Sequence, residues 1–102
     1  MLDPRTITRE TFEDAGPDGF KLSFEDERHD LELIGAESLK AHPGHPRQVP
    51  PFTIFLRGPS DLMIPGRQGM CTISHGDMGE IEAFVVMLGP DEAGQLLQVV
   101  FN

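Results

Sequence analysis

Among the side chains able to act as nucleophile and base, Cys71 and His75 stand four positions apart. A cysteine nucleophile needs its base within about 3 Å. Both residues fall in a segment predicted to be a strand, where they would share a face but lie about 13 Å apart. We therefore predict no catalytic dyad and interpret Cys71 as a small buried apolar residue.

Two further histidines, His42 and His45, lie in a proline-rich stretch with two residues between them. Imidazoles at this spacing could share a zinc ion, but two nitrogen ligands make an incomplete site. His29 and the acidic segment 25–30 would complete it only if the two loops converged. We predict neither a metal nor a cofactor, and we interpret these histidines as solvated loop residues.

The carboxylates form two groups, neither of which predicts catalysis. Segment 25–30 lacks the Asp-x-Asp-x-Asp-Gly framework of a calcium loop and indicates a solvated hairpin turn. Glu80 and Glu82 would lie on one face of a strand, about 7 Å apart. Such a separation occurs in glycosidases, yet alternating exposed glutamates are ordinary on a strand.

Arg57 ends an apolar strand immediately before a Gly-Pro pair. Two roles remain open for its guanidinium. It could pair with a carboxylate such as Asp61 and fix the loop that follows, or it could lie at the mouth of a barrel and contact an anionic group on a partner. The candidate binding residues are Arg57, His42, His45 and His75.

One short helix is predicted near the start of the chain, over residues 9–14. Thr8 can cap it by accepting a backbone N–H with its hydroxyl. Ile7 and Phe12 have the spacing of a hydrophobic staple, and the Gly-Pro pair at 16–17 ends the helix. We expect this helix to cover one end of a β core.

Alternation of apolar and polar residues predicts six strands, over 20–24, 31–33, 52–56, 71–75, 81–87 and 97–101. Tight turns join most of them, which indicates an antiparallel meander. Two longer loops are expected at 41–51 and 58–69. Six of the seven phenylalanines fall in these strands, and we interpret them as core residues.

Several of the strands are apolar on both faces, which a flat sheet covered by one short helix could not bury. The fold class is therefore predicted as all-β, a small antiparallel six-stranded barrel or two-layer sandwich with one short N-terminal helix. We favour the barrel. The 102 residues fit a single domain, 1–102.

The charge balance excludes one large class of partner. Eight Lys and Arg stand against seventeen Asp and Glu, a formal net charge of −9. Nucleic-acid affinity comes largely from neutralising phosphates with cationic side chains, so we predict no nucleic-acid binding. The acidity is interpreted mainly as a solubility feature, with a basic partner or a cation as the alternative.

The compartment is predicted from the cysteine content and the apolar segments. Cys71 is the only cysteine, which fits a reducing compartment. The first residues show no signal-peptide pattern, and the longest apolar run, 83–88, is far shorter than a membrane span. We predict a cytoplasmic protein that does not enter a membrane.

Four segments carry a resemblance to a known family: 52–59 (FTIFLRGP), 69–75 (GMCTISH), 79–84 (GEIEAF) and 99–102 (VVFN). They resemble an uncharacterised bacterial family of proteins of this size, known only as a domain of unknown function. The family usually has an aromatic residue where Cys71 stands, and the loop 65–68 is slightly longer here. The resemblance implies an association with phage-tail-collar proteins, including those called microcystin-dependent, and it supplies no catalytic residues.

Together, the small all-β frame, the lack of a convergent polar cluster and the resemblance predict a non-enzymatic interaction or structural module, accessory to a phage-tail-like assembly. We expect a protein partner, bound along an unpaired strand edge or through the loops 41–51 and 58–69. The C-terminal strand is predicted to be such an edge, along which a second copy could pair as a homodimer. The alternative is a small-ligand-binding barrel or minor hydrolase with its site at the barrel mouth, near the candidate binding residues.

Overall fold

In the computed structural model, which describes residues 2–40 and 50–101, six antiparallel strands close into a barrel. The elements in chain order are α1 (Arg9–Ala15), β1 (Phe20–Phe24), β2 (Glu27–Ser38), β3 (Phe52–Gly58), a 3-10 turn (Pro65–Arg67), β4 (Gln68–His75), β5 (Gly79–Asp91) and β6 (Gly94–Phe101). The all-β prediction and the preference for a barrel over a two-layer sandwich are both confirmed.

The strand order around the barrel is β1-β2-β3-β6-β5-β4, with β1 and β4 closing the circle. The predicted meander is wrong at β3, whose second neighbour is β6 rather than β4. The physical reason is the connection between β3 and β4, which crosses one end of the barrel and delivers β4 beside β1. Since β6 pairs with both β3 and β5, the prediction that the C-terminal strand is an edge is also wrong.

Five of the six strands are longer than their sequence patterns indicate, and the added length of β2 changes the first hairpin. The predicted turn over 25–30 is only two residues long, Glu25 and Asp26, because residues 27–30 belong to β2 and pair with β1. Glu25 takes a positive φ of 52° to make this tight turn. The acidic side chains at the hairpin tip are exposed, as expected.

Side chains from the inner faces of all six strands fill the barrel. The fully buried ones include Leu22, Ile54, Leu56, Ile73, Ile81, Val85, Leu97 and Val99. Alternation along each strand places these residues inside and their sequence neighbours outside. The interior is therefore a packed hydrophobic core of the kind that stabilises small barrels.

The helix covers one end of the barrel, as predicted, and does so through Phe12. Its ring, fully buried, lies 6.2 Å from Phe20, 6.0 Å from Phe52 and 5.5 Å from Phe101, measured between ring centroids. The predicted side-chain cap is wrong. The Thr8 hydroxyl makes no capping bond and lies instead 3.2 Å from the hydroxyl of Thr11.

The opposite end is plugged by the connection between β3 and β4. Leu62 and Ile64 from this connection are buried in the core. The Ile64 N–H lies 3.2 Å from the sulfur of Met87, and the Gln95 amide nitrogen lies 3.5 Å from the Leu62 carbonyl. The helix and this plug leave both ends of the barrel covered.

Candidate functional site

Arg57, the first candidate binding residue, is held by carboxylates of the chain itself. Its Nη2 lies 2.6 Å from Oδ2 of Asp91 and its Nε 3.3 Å from Oδ1, while Glu32 lies 3.8 Å away. The Arg57 hydrogen bond, followed by that of the Ala93 N–H, holds the pKa of Asp91 below its usual value. The carboxylate is Asp91 rather than the predicted Asp61, because β6 lies beside β3 and brings the β5–β6 turn to its end.

His75 is engaged through both ring nitrogens. Its Nδ1 accepts the Asp77 N–H at 3.0 Å, so Nε2 carries the proton and donates to the Asp18 carbonyl at 2.9 Å. The ring packs on Phe20 with centroids 4.8 Å apart. These contacts fasten the end of β4 to the segment that joins α1 to β1.

The candidate binding residues do not converge in the part of the chain that the structure describes. His75 pairs with Gly79 at the start of the 13-residue strand β5, whereas Arg57 binds Asp91 at its end. The two side chains therefore lie towards opposite ends of the barrel. His42 and His45 lie outside the described residues. A binding role for these four residues stays a prediction.

Cys71 and His75 lie in one uninterrupted strand, which keeps them about 13 Å apart along β4. Cys71 is 3% exposed, and its Sγ contacts the Gly69 carbonyl at 3.7 Å. Burial raises the pKa of the thiol above its ordinary value. Within residues 2–40 and 50–101, no group of three or more His, Cys, Asp or Glu side chains is arranged to hold a metal ion.

The most distinctive surface feature was missed by the sequence analysis. Met70, Phe84 and Val100 point outward from β4, β5 and β6 and are 61%, 48% and 43% exposed. Met70 is paired with Phe84, and the register of β5 with β6 places Val100 opposite Phe84 on the other side. We call these three residues the apolar row.

The core assignment of the phenylalanines is therefore wrong for Phe84, and it is also wrong for Phe55, which is only partly buried and lies outside the core cluster. A signal for the outward direction of Phe84 was present in the sequence. If Ile81, Ala83 and Val85 face the core, then strand alternation must turn Phe84 outward. The length of the run 83–88 does not show this direction, but the alternation of its residues does.

A cleft lies next to the apolar row, where β1 turns away from β4. Only Lys21–Ser23 of β1 pair with β4, at Thr72–Ser74, so residues 68–71 of β4 pair with β5 on one side and with no described strand on the other. The cleft has a volume of about 420 Å³, and we call it the seam cleft. Its lining includes Phe24, Glu25, Ile64, Met70, Cys71 and Glu82.

These observations define a class: a small closed β-barrel with a filled interior, whose distinctive features lie on its outer wall. The chain belongs to the family described as Domain of unknown function (DUF6916), whose model matches residues 7–101. This confirms the resemblance to a domain of unknown function. No curated protein and no solved structure matches the chain. In the described residues, no helix has the length and apolar character needed to cross a membrane.

Proposed function

We propose that this domain is a non-enzymatic interaction module that binds a protein partner through the outer wall of β4, β5 and β6. The observation that carries the proposal is the apolar row, three large apolar side chains in adjacent register positions, each more than two fifths exposed. Contiguous exposed apolar surface on a small soluble domain marks an interaction site more often than isolated apolar residues do.

The energetics favour a partner that covers the whole row. Burying the exposed half of a Phe side chain stabilises a complex by about 1 kcal/mol, and Met70 and Val100 would add similar amounts. A contribution of about 3 kcal/mol is two orders of magnitude in affinity, which suits the centre of an interface surrounded by polar contacts.

Of the charges beside the row, Arg5 is paired with Asp3, and the two neighbouring glutamates favour a basic partner. Glu80 and Glu82 point outward on β5 and are paired across the ladder with Ser74 and Thr72, not with cations. In the described part of the chain neither glutamate takes part in an ion pair. A partner with Lys or Arg next to its apolar residues would complement them, whereas a second copy with a net charge of −9 would oppose them.

The proposal also includes the compartment and the kind of assembly in which the domain acts. We place the module in the cytoplasm, as its single cysteine favours, and we propose that it is an accessory to a phage-tail-like assembly, as the resemblance described above implies. The support is the family resemblance together with a compact domain whose binding surface lies on its outer wall. Assembly accessories act by docking, which requires a surface of this kind and no catalytic centre.

The test compares two substitutions on opposite walls of the barrel. Phe84→Lys places a charge in the apolar row. The control, Ile34→Lys, places a charge in β2 at a residue with a similar exposed fraction, 39%. Proteins captured from the native host with the unmodified chain are purified, and their affinities for both variants are measured by calorimetry. We expect Phe84→Lys to weaken binding at least tenfold and Ile34→Lys to change it less than twofold.

Two results would contradict the proposal. In the first, every purified partner binds Phe84→Lys as tightly as the unmodified chain. In the second, none of the proteins captured with the unmodified chain is a component of a tail-like assembly. Thermal unfolding of both variants, followed by circular dichroism, shows whether any loss of binding reflects loss of the fold.

A further inference from the structure

We propose that the partner binds by adding an extended, basic segment as a strand to the free edge of β4, in the seam cleft. This inference rests on the proposed function, because Met70 belongs both to the apolar row and to this edge. A chain that enters the cleft at Met70 could continue over the outer wall and cover Phe84 and Val100.

The free edge results from the way the barrel closes. β4 is eight residues long and pairs with β5 over its whole length, but it pairs with β1 only at Thr72–Ser74. Beyond this point β1 ends at Phe24, and the tight turn at Glu25 carries the chain away into β2. Within residues 2–40 and 50–101 no strand pairs with residues 68–71 on this side, which leaves a free edge about 13 Å long.

Such an edge offers hydrogen bonds to an incoming strand. In an antiparallel ladder alternate residues direct both N–H and C=O to the same side, so two of the four residues present these groups to the cleft. Proteins commonly protect exposed edges with charged residues or prolines. The sequence of this edge, Gln-Gly-Met-Cys, contains neither.

The cleft beside the edge has room for side chains of the added strand. Phe24, Ile64 and Met70 supply apolar contacts along its walls. Strand addition generally combines main-chain hydrogen bonds, which give affinity, with pockets for alternate side chains, which give specificity. An open edge next to a cleft of about 420 Å³ provides both.

The charges of the cleft select a basic segment. Glu25 and Glu82 both line it, and none of its lining residues in the described part of the chain is Lys, Arg or His. Neither glutamate belongs to an ion pair within the described residues. A second copy adding through the same edge would bring its own Glu25 and Glu82 to this cleft, and the like charges would repel.

The probe for this inference is a capped heptapeptide of alternating lysine and valine, compared with its glutamate–valine counterpart. Two further lysine–valine peptides are N-methylated, one at every lysine amide and the other at every valine amide. Because the amides of a strand alternate in direction, only one of these patterns removes the donors that face β4. Binding is followed by NMR titration of the full chain and by amide hydrogen exchange.

We expect the lysine–valine peptide to bind at least tenfold more tightly than the glutamate–valine peptide. At saturation, exchange should slow at least tenfold at two alternate amides within 68–71. One N-methylated peptide should lose at least tenfold in affinity relative to the other. The double variant Glu25→Gln/Glu82→Gln should bind the lysine–valine peptide about fivefold more weakly, as expected for two partly exposed ion pairs.

The matched control is Glu37→Gln/Glu92→Gln, which removes the same charge at two exposed sites away from the cleft. Equal weakening in both double variants would overturn the inference, because it would show general attraction to an acidic surface. Equal affinities of the two N-methylated peptides would overturn strand addition. Protection of 68–71 at high protein concentration without peptide would show that a second copy fills the edge and would overturn the basic partner.

Failure of this inference can be distinguished from failure of the proposed function. If a native partner requires Phe84 but leaves amide exchange at 68–71 unchanged, the apolar row is the interface and strand addition is wrong. If Phe84→Lys leaves the affinity for every partner unchanged, the proposed function itself is wrong.

Discussion

Gly94 starts β6 immediately after the β5–β6 turn, and replacing it with alanine should disrupt the ladder between β3 and β6. The backbone has a φ of +144° at this position, and a Cβ atom would lie 2.2 Å from the Gly58 carbonyl oxygen. The strained φ costs about 1–3 kcal/mol for a residue with a side chain. Because the clashing atom belongs to the backbone of β3, the strands must also separate locally and lose one or two hydrogen bonds, each worth about 1 kcal/mol.

We therefore expect Gly94→Ala to lower the free energy of unfolding by about 2–5 kcal/mol. In a domain of this size each kcal/mol corresponds to roughly 5 °C, so the Tm should fall by about 10–25 °C. The chain has no Trp and no Tyr, so unfolding is best followed by far-ultraviolet circular dichroism in thermal and urea titrations.

The matched control is Gly66→Ala, which separates backbone strain from the clash. Gly66 also has a positive φ, +73°, but an added Cβ would meet nothing within 4 Å. Gly66→Ala should lower the free energy of unfolding only through the unfavourable positive φ, by about 1–2 kcal/mol. If Gly94→Ala proves no more destabilising than Gly66→Ala, the close approach of β6 to Gly58 does not have the energetic role assigned to it.

Two further predictions concern the ends of the barrel. The ionised form of Asp91 is favoured in the folded state, so its contribution to stability is complete above about pH 4 and is lost as the pH falls through its lowered pKa. Asp91→Asn should remove this part of the acid dependence, measured by urea unfolding between about pH 2 and 5; an unchanged pH profile would show that Arg57 does not stabilise the carboxylate. Phe12→Ala should cost about 3–5 kcal/mol, because it leaves a cavity among three other rings. Phe84→Ala, at a half-exposed site, should cost less than half as much in the same assay, and equal losses would refute the placement of the two rings.

The sequence predicted the class of fold because strand alternation is a local property. The first strand was predicted over 20–24, which is the range observed, and the closed barrel followed from strands that are apolar on both faces. The order of the strands could not be predicted in the same way. It depends on where the connection over residues 59–67 runs, and the burial of Leu62 and Ile64 that fixes this path is a long-range effect.

The same distinction between local and long-range features applies to the candidate site. The outward direction of Phe84 can be predicted from the alternation of its neighbours, whereas the free edge of β4 cannot be predicted from the sequence. That edge exists because the tight turn at Glu25 ends the pairing of β1 with β4, a consequence of how two distant hairpins meet. The ion pair of Arg57 shows the same limit, since a carboxylate partner is one of the two roles that the sequence leaves open, and the carboxylate that pairs lies 34 residues away.

The seam between β1 and β4 also bears on how the domain folds. The seam joins Lys21 to Ser74, roughly 50 residues apart in the chain, through only three paired positions. Closing it therefore costs a large loop entropy and forms few contacts in return. The hairpins β4–β5 and β5–β6 are local in sequence and are expected to form earlier. Until the seam closes, the whole edge of β4 is exposed, and a strand that binds there could act on the nascent barrel as well as on the finished one.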